Sequence, residues 1–278
     1  MRRKEELEAF EKLLDIMDEL REKCPWDKKQ TIESLRPLTI EETYELSDAI
    51  MAGDTKNISK ELGDILLHIV FYSRIGTEKG AFSIVDVINQ LCDKLVYRHP
   101  HVFGEQSEDA KGMGGASTSE QVIKNWEQLK TTEKDGNKRV LSGVPTTLPP
   151  LLKAYRMQDK ARGVGFDWDE KEQVWDKVVE ELGEFKEEMA KIDYSDPKSV
   201  SLAEGELGDF LFSIVNAARL YKLNPDTALE MTNAKFRRRF TYLEEHTIRV
   251  GRSLKDMTLA EMDEIWDEAK EKEKQGLL

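Results

Sequence analysis

The chain has 278 residues, 35% of them charged and 39% aliphatic or aromatic, and 55 acidic against 42 basic side chains give a net charge of −13. A surface this acidic repels phosphate backbones, which excludes a nucleic-acid polymer as partner but not a single nucleotide whose charge is carried by bound metal. No apolar run approaches the ~20 residues of a membrane span, and the two cysteines, Cys24 and Cys92, stand far apart in unlike contexts, so a cytoplasmic protein with no membrane partner is expected.

The start, Met1-Arg2-Arg3-Lys4-Glu5-Glu6, is basic and then acidic with no apolar segment behind it, so no secretory signal is expected. The informative feature comes next: one pattern occurs twice. The first copy begins near Pro25-Trp26-Asp27 and continues through Glu41-Glu42-Thr43-Tyr44-Glu45. It then runs through Glu61-Leu62-Gly63-Asp64-Ile65-Leu66 and ends at Lys94-Leu95-Val96-Tyr97-Arg98. Within it Leu62, Ile65, Leu66, Ile69 and Val70 recur at three and four, the period of an apolar helix stripe. Gly53-Asp54 and Gly76 read as helix ends.

Residues 106–120 carry Gly112, Gly114, Gly115, Ser117 and Ser119 and read as a loop. A short helical piece follows around Val122-Ile123-Trp126-Leu129, and the linker closes on Pro145-Thr146-Thr147-Leu148-Pro149-Pro150. Three segments result: an N-terminal helical domain over 1–105, a linker over 106–150, and a C-terminal helical domain over 151–278.

The second copy begins near Phe166-Asp167-Trp168. It passes through Glu180-Glu181-Leu182-Gly183-Glu184 and Glu206-Leu207-Gly208-Asp209-Phe210-Leu211, and ends at Lys235-Phe236-Arg237-Arg238-Arg239. Its stripe is Leu207, Phe210, Leu211, Ile214 and Val215. The spacing from Glu42 to Glu61 is 19 residues and from Glu181 to Glu206 is 25. The difference falls at a turn-forming Tyr194-Ser195-Asp196-Pro197. Each copy reads as about four helices, so the fold class is all-α, a tandem repeat of helical bundles.

The repeated acids are the candidate site. Glu181 and Glu184 lie three apart on one helix face, and Glu206 and Asp209 do the same on the next helix. Antiparallel packing of the two helices would bring four carboxylates to one spot. Like charges that close repel unless a cation is bound, and an all-oxygen set selects Mg²⁺, with Mn²⁺ as substitute. Glu42, Glu45, Glu61 and Asp64 form a second possible acidic site. Gly208 and Gly63 beside these acids suggest close helix approach or room for a ligand.

Lys235, Arg238 and Arg239 follow the last core helix and can grip phosphate oxygens together. Lys177, one turn before Glu181, and Glu180 are counted with them as candidate substrate contacts. Trp266 can stack on a base or pack in the core. His99-Pro100-His101 lacks a third metal ligand at sensible spacing, and the chain has neither a P-loop nor a G-x-S-x-G nucleophile motif.

The two sets Glu41-Glu42-x-x-Glu45…Glu61-x-x-Asp64 and Glu180-Glu181-x-x-Glu184…Glu206-x-x-Asp209 resemble the E-E-x-x-E…E-x-x-D signature of the MazG nucleoside triphosphate pyrophosphohydrolases. Arg98-His99-Pro100-His101-Val102-Phe103 and Val164-Gly165-Phe166-Asp167-Trp168 resemble that family's two-domain form. The resemblance covers nearly the whole chain. It implies a homodimeric all-α pyrophosphatase fold with bundles built from both subunits, and catalysis in the C-terminal copy, leaving the N-terminal copy mainly structural and dimerising. It also implies Mg²⁺ on Glu181, Glu184, Glu206 and Asp209, and nucleotide contacts at Lys177, Lys235, Arg239 and Trp266. One departure within the chain stands out: Asn216 occupies the place that Phe71 holds in the first copy, and a polar side chain suits a nucleotide site better.

The expected reaction is Mg²⁺-dependent cleavage of an NTP or dNTP to nucleoside monophosphate and pyrophosphate. An activated water attacks the α-phosphorus, and Glu181 and Glu184 are the candidates for general base. A substrate-specific relative cleaving dUTP or phosphoribosyl-ATP would use the same chemistry. A non-catalytic scaffold would show no turnover. A di-iron bundle needs Glu-x-x-His pairs, but Ile65, Val96, Arg98 and Leu243 stand three before the four histidines.

Overall fold

A computed structural model describes residues 2–103, 118, 121–122 and 139–278. Most of the expected 106–120 loop, and the helix expected around Val122–Leu129 apart from Val122 itself, lie outside the described residues. Contacts divide the chain into two compact units, Met1–Trp126 and Glu127–Leu278. The described residues contain no strand.

The N-terminal unit consists of α1 (Arg2–Lys23), α2 (Ile32–Ala52), α3 (Thr55–Glu78), α4 (Ile84–Arg98) and the single turn α5 (Pro100–Phe103). Helices α2 and α3 form a tight αα-hairpin. Gly53 ends α2 with φ +65°, a left-handed position that glycine takes without steric cost, and the Asp54 side chain caps α3 by accepting from Lys56 N and Asn57 N. Gly76 does not end a helix as the sequence suggested. It is buried inside α3, where a Cβ would meet the Phe82 ring at 2.7 Å. Close approach, not chain reversal, requires that glycine. The core is Met17, Leu35, Val70, Phe71 and Ile75, with α1 packed on α3.

The C-terminal unit repeats the hairpin. It consists of α6 (Pro150–Gly163), α7 (Val174–Lys191), α8 (Pro197–Leu220), α9 (Pro225–Arg249) and α10 (Leu259–Lys274). Pro150, Pro197 and Pro225 sit in first turns, where no amide donor is missed. Tyr194–Pro197 is the turn that the spacing implied: Asp196 caps α8 and Pro197 opens it. Helices α7 and α8 pack along their length, α6 lies on α8 as α1 lies on α3, and α10 folds back on α9.

The apolar stripes are only half buried. Val70 and Val215 are in the core, but Leu62, Leu66, Ile69, Leu207, Leu211 and Ile214 are exposed in the single chain. Helix α4 buries no residue and exposes Val85, Ile88, Leu91 and Leu95 along one side. No helix among the described residues is long and apolar enough to cross a membrane.

Candidate active site

The α7–α8 pair places the second acidic set. Oxygens of Glu181, Glu206 and Asp209 all lie within 4.8 Å of one another. Glu181 comes from α7, one turn after Lys177, and is 7% exposed. Glu206 and Asp209 come from α8, three residues apart. Burial, and then the charges of Glu184, Asp209 and Glu181, raise the Glu206 carboxyl above the usual carboxylate range. Glu184 is exposed and is not one of the three that converge, though its charge is the first to act on Glu206. Three of the four expected ligands therefore meet, and the fourth stands at the rim.

The α2–α3 pair does the same with Glu42, Glu45 and Glu61. Asp64 is outside the closest group, but it helps raise Glu42, which burial raises first. Glu61 is 1% exposed and its Oε2 has no hydrogen-bond partner.

Each cluster has an internal counter-cation, supplied from a different helix. In the first, Lys60 Nζ lies 2.9 Å from Glu61 Oε1 and 3.8 Å from Asp64 Oδ2. In the second, Lys177 Nζ lies 2.8 Å from Glu180 and 2.7 Å from Glu181, and these hydrogen bonds hold it protonated well above the ordinary lysine range. The repeat puts Gly205 where Lys60 stands, and Leu38 where Lys177 stands. A Cβ on Gly63 or Gly208 would meet nothing within 4 Å, so close helix approach within the chain is not what these glycines serve.

The basic residues and Trp266 are gathered elsewhere, between α9 and α10. Glu273 takes both arginines, Arg238 at 2.5 Å and Arg239 at 2.6 Å. Trp266 packs 5.2 Å from the Phe236 ring with the Arg239 guanidinium 6.0 Å from its own ring. Lys235 is half-buried on α9 and makes no ion pair with a described residue. Trp266 is thus part of a helix–helix contact in the single chain.

Sequence reasoning missed a cleft in the C-terminal unit of about 530 Å³, lined by Met157, Gln158, Phe166, Asp167, Trp168, Phe212, Asn216 and Arg219 among others. Part of its lining is a network centred on buried Arg219. Arg219 donates to Asp167 Oδ2 at 3.1 Å and Oδ1 at 2.5 Å, and to Asn216 Oδ1 at 3.1 and 2.8 Å. Burial alone would raise Asp167, but the Arg219 hydrogen bonds and charge outweigh it and hold the carboxyl below its usual range. Asn216 and the Phe166-Asp167-Trp168 segment were the signals visible beforehand. Gln158, a lone amide inside α6, gave none.

In the first copy the position that matches Asn216 belongs to the core, and the pocket on that face is smaller, about 190 Å³. Phe71 is 2% exposed in the core. Four residues beyond Asp64, His68 Nδ1 and Tyr72 Oη both lie 2.6 Å from Thr39 Oγ1.

Residues 30–103 match the MazG nucleotide pyrophosphohydrolase domain. Over 264 residues, 94% of this chain and 95% of the relative, the sequence is 43% identical to the nucleoside triphosphate pyrophosphohydrolase/pyrophosphatase MazG of Thermotoga maritima. The chain belongs to the MazG family. It is also 38% identical to a nucleoside triphosphate pyrophosphohydrolase of Escherichia coli, covering 96% of this chain and 99% of that one. The uncharacterized protein YabN of Bacillus subtilis is 45% identical across 96% of this chain, which spans 53% of YabN. In this MazG chain both acidic clusters lie inside the stretch shared with the Thermotoga and Escherichia proteins, since those alignments leave out no more than about a twentieth of it.

Proposed function

We propose that the protein hydrolyses nucleoside triphosphates to nucleoside monophosphate and pyrophosphate, and that it does so chiefly at Glu181, Glu184, Glu206 and Asp209. The observation that carries this is the convergence of Glu181, Glu206 and Asp209 in the unit whose α8 also lines a cleft of about 530 Å³.

Three carboxylates on two facing helices, with Glu206 destabilised as an anion by its neighbours, suit a hard divalent cation such as Mg²⁺. In the first cluster the buried unpartnered Glu61 Oε2 suits one equally. When bound, the cation neutralises the triphosphate and polarises its phosphorus. The chain's own residues do the rest. Glu181, Glu206 and Asp209 would hold the cation. Glu184, exposed and outside the closest group, is free to take a proton from the attacking water on its carboxylate. Lys177, held by Glu180 and Glu181, would offer its ammonium to phosphate oxygens.

The exposed stripe residues Leu62, Leu66, Leu207 and Leu211, with the apolar side of α4, support a homodimer in which a second copy completes the bundles. The functional test is product analysis with each NTP and dNTP plus Mg²⁺. NMP and pyrophosphate are expected, lost in EDTA and restored by Mg²⁺ or Mn²⁺; NDP with orthophosphate would overturn the reading.

A further inference from the structure

Both acidic clusters offer oxygens to a cation, and both already hold an ammonium, but the two ammonium groups are placed differently. In the first copy Lys60 immediately precedes Glu61 on α3. Its Nζ is 2.9 Å from Glu61 Oε1 and 3.8 Å from Asp64 Oδ2. Glu61 is one of the three acids that converge, and it is 1% exposed. Lys60 donates to one oxygen of this buried carboxylate, and the other, Oε2, has no partner. A carboxylate this deep is costly without a counter-ion, and Lys60 supplies one from a largely exposed side chain.

In the second copy Lys177 Nζ is 2.7 Å from Glu181, which converges, and 2.8 Å from Glu180, which does not. Glu180 is exposed. Lys177 therefore keeps a carboxylate partner when Glu181 turns to a cation. Among the described residues, Lys60 pairs only with acids of its own cluster. The repeat puts Gly205 in the place of Lys60, so the residue before Glu206 carries no charge.

The charge of Lys60 reaches across the α2–α3 pair. Burial and the neighbouring acids raise the Glu42 carboxyl, and Lys60 opposes them. A divalent ion entering the first cluster must displace or repel an ammonium that already offsets its acids. Like charges a few ångströms apart in a partly desolvated site repel strongly.

We propose that Lys60 is a built-in competitor for the cation at the first cluster, so that a divalent ion loads at Glu181, Glu206 and Asp209 before it loads at Glu42, Glu45 and Glu61. This rests on the clusters being cation sites, as read above. One residue then separates the two copies: the first cluster is held together by the chain's own ammonium, and the second is open to an ion.

The test uses the full chain without nucleotide and Mn²⁺ as the probe, its free concentration read by electron paramagnetic resonance. The wild type should bind Mn²⁺ in two classes whose Kd values differ by about tenfold or more. Glu206→Gln should remove the tighter class and Glu42→Gln the weaker. Lys60→Met should tighten the weaker class about tenfold and leave the tighter one within about twofold. A wild type with one class, to which Lys60→Met adds a second, upholds the proposal equally. Without metal the Lys60→Met unfolding midpoint should fall, because Glu61 loses its counter-ion, while the rise caused by Mn²⁺ should grow. A purely structural lysine would lower the midpoint and move neither Kd. Gly205→Lys is the reciprocal change, and a Cβ there meets nothing within 4 Å, so it serves if Lys60→Met does not fold. It should weaken the tighter class about tenfold. An unchanged weaker class in Lys60→Met overturns the proposal, as does an unchanged tighter class in Gly205→Lys or a tighter class lost in Glu42→Gln. Failure of the reaction reads differently: no product from any nucleotide, with these Kd values moving as expected, refutes the hydrolysis and leaves the Lys60 assignment standing. No Mn²⁺ bound at all overturns both.

Discussion

Phe71 and Asn216 stand seven residues beyond Asp64 and Asp209 in their respective copies, and they meet opposite surroundings. Phe71 is buried among Met17, Leu35, Val70 and Ile75, whereas Asn216 lines an open cleft and accepts from Arg219. The same step of one repeated helix is core in one unit and cleft wall in the other. Phe71→Ala is therefore expected to cost about 3–5 kcal/mol in stability, the range for emptying a buried phenyl position. Asn216→Ala, which removes hydrogen bonds at a cleft wall, is expected to cost about 1 kcal/mol. Urea unfolding of the two variants measures both, and equal losses would mean the two positions are not differently used.

The Asp167–Arg219 pair makes a second stability prediction, one that depends on pH. Arg219 is 6% exposed, so Asp167→Asn strands its charge and should cost about 3 kcal/mol or more at neutral pH. The folded Asp167 titrates below its ordinary value of 3.8 because Arg219 favours the anion against burial. A depressed carboxyl stabilises the fold above its unfolded pKa, and that contribution disappears as pH falls through the folded pKa. The wild type and Asp167→Asn should thus differ most near neutrality and converge below about pH 4. A difference that stays constant down to pH 2 would show that the pair's charge is not its contribution.

Metal binding should be visible without turnover. Mg²⁺ in excess over its dissociation constant should raise the unfolding midpoint of the wild-type protein, because a ligand that binds only the folded state adds RT ln(1 + [L]/Kd), about 2.7 kcal/mol at a hundredfold excess. Glu206→Gln and Asp209→Asn each remove a converging carboxylate at nearly constant shape and should reduce the rise with helical content unchanged. Midpoints that respond to Mg²⁺ as the wild type does would place the cation elsewhere.

Much of this was legible beforehand, for a physical reason. The acids recur at helical spacing in two places, and period three-to-four alone puts Glu181 and Glu184, or Glu206 and Asp209, on one face. The hairpin that joins the two faces was likewise implied by Gly53-Asp54 and by Asp196-Pro197. What could not be read is what long side chains do between helices. Glu273 takes Arg238 and Arg239, and Trp266 packs on Phe236; these contacts join residues about thirty apart in sequence that share no motif. Gln158 and Phe212 are 54 residues apart, and nothing local marks either as half of a pair.

The Glu273 contacts bear on substrate binding. A carboxylate now occupies the two guanidinium groups that the sequence offers to phosphate. Glu273→Gln weakens both pairs, which are partly exposed, so the stability loss should stay within about 1 kcal/mol. If Arg238 and Arg239 serve the triphosphate, the same change should lower KM for nucleotides, since no internal anion then competes. A KM that rises in Glu273→Gln would instead assign the arginines to holding α10 in place.

The division of labour between the copies is the most consequential prediction. Both units bring three carboxylates together, so acidity alone allows two sites per chain. The surroundings differ. Beyond the first cluster along α3, Phe71 is buried in the core, His68 and Tyr72 each share a hydrogen bond with Thr39, and burial lowers the His68 imidazole below its ordinary range. Beyond the second along α8, Phe212, Asn216 and Arg219 line a cleft of about 530 Å³. A nucleotide needs room for its base as well as a cation for its phosphates. The double variant Glu181→Gln/Glu184→Gln should therefore lose about a hundredfold or more of kcat/KM on all eight common nucleotides, the scale of losing a charged ligand together with a proton acceptor. Glu42→Gln/Glu45→Gln should keep turnover to within about threefold, with any loss matched by a lower unfolding midpoint. The reverse pattern, turnover abolished by the first-copy changes and spared by the second-copy ones, would put the reaction at Glu42, Glu45, Glu61 and Asp64.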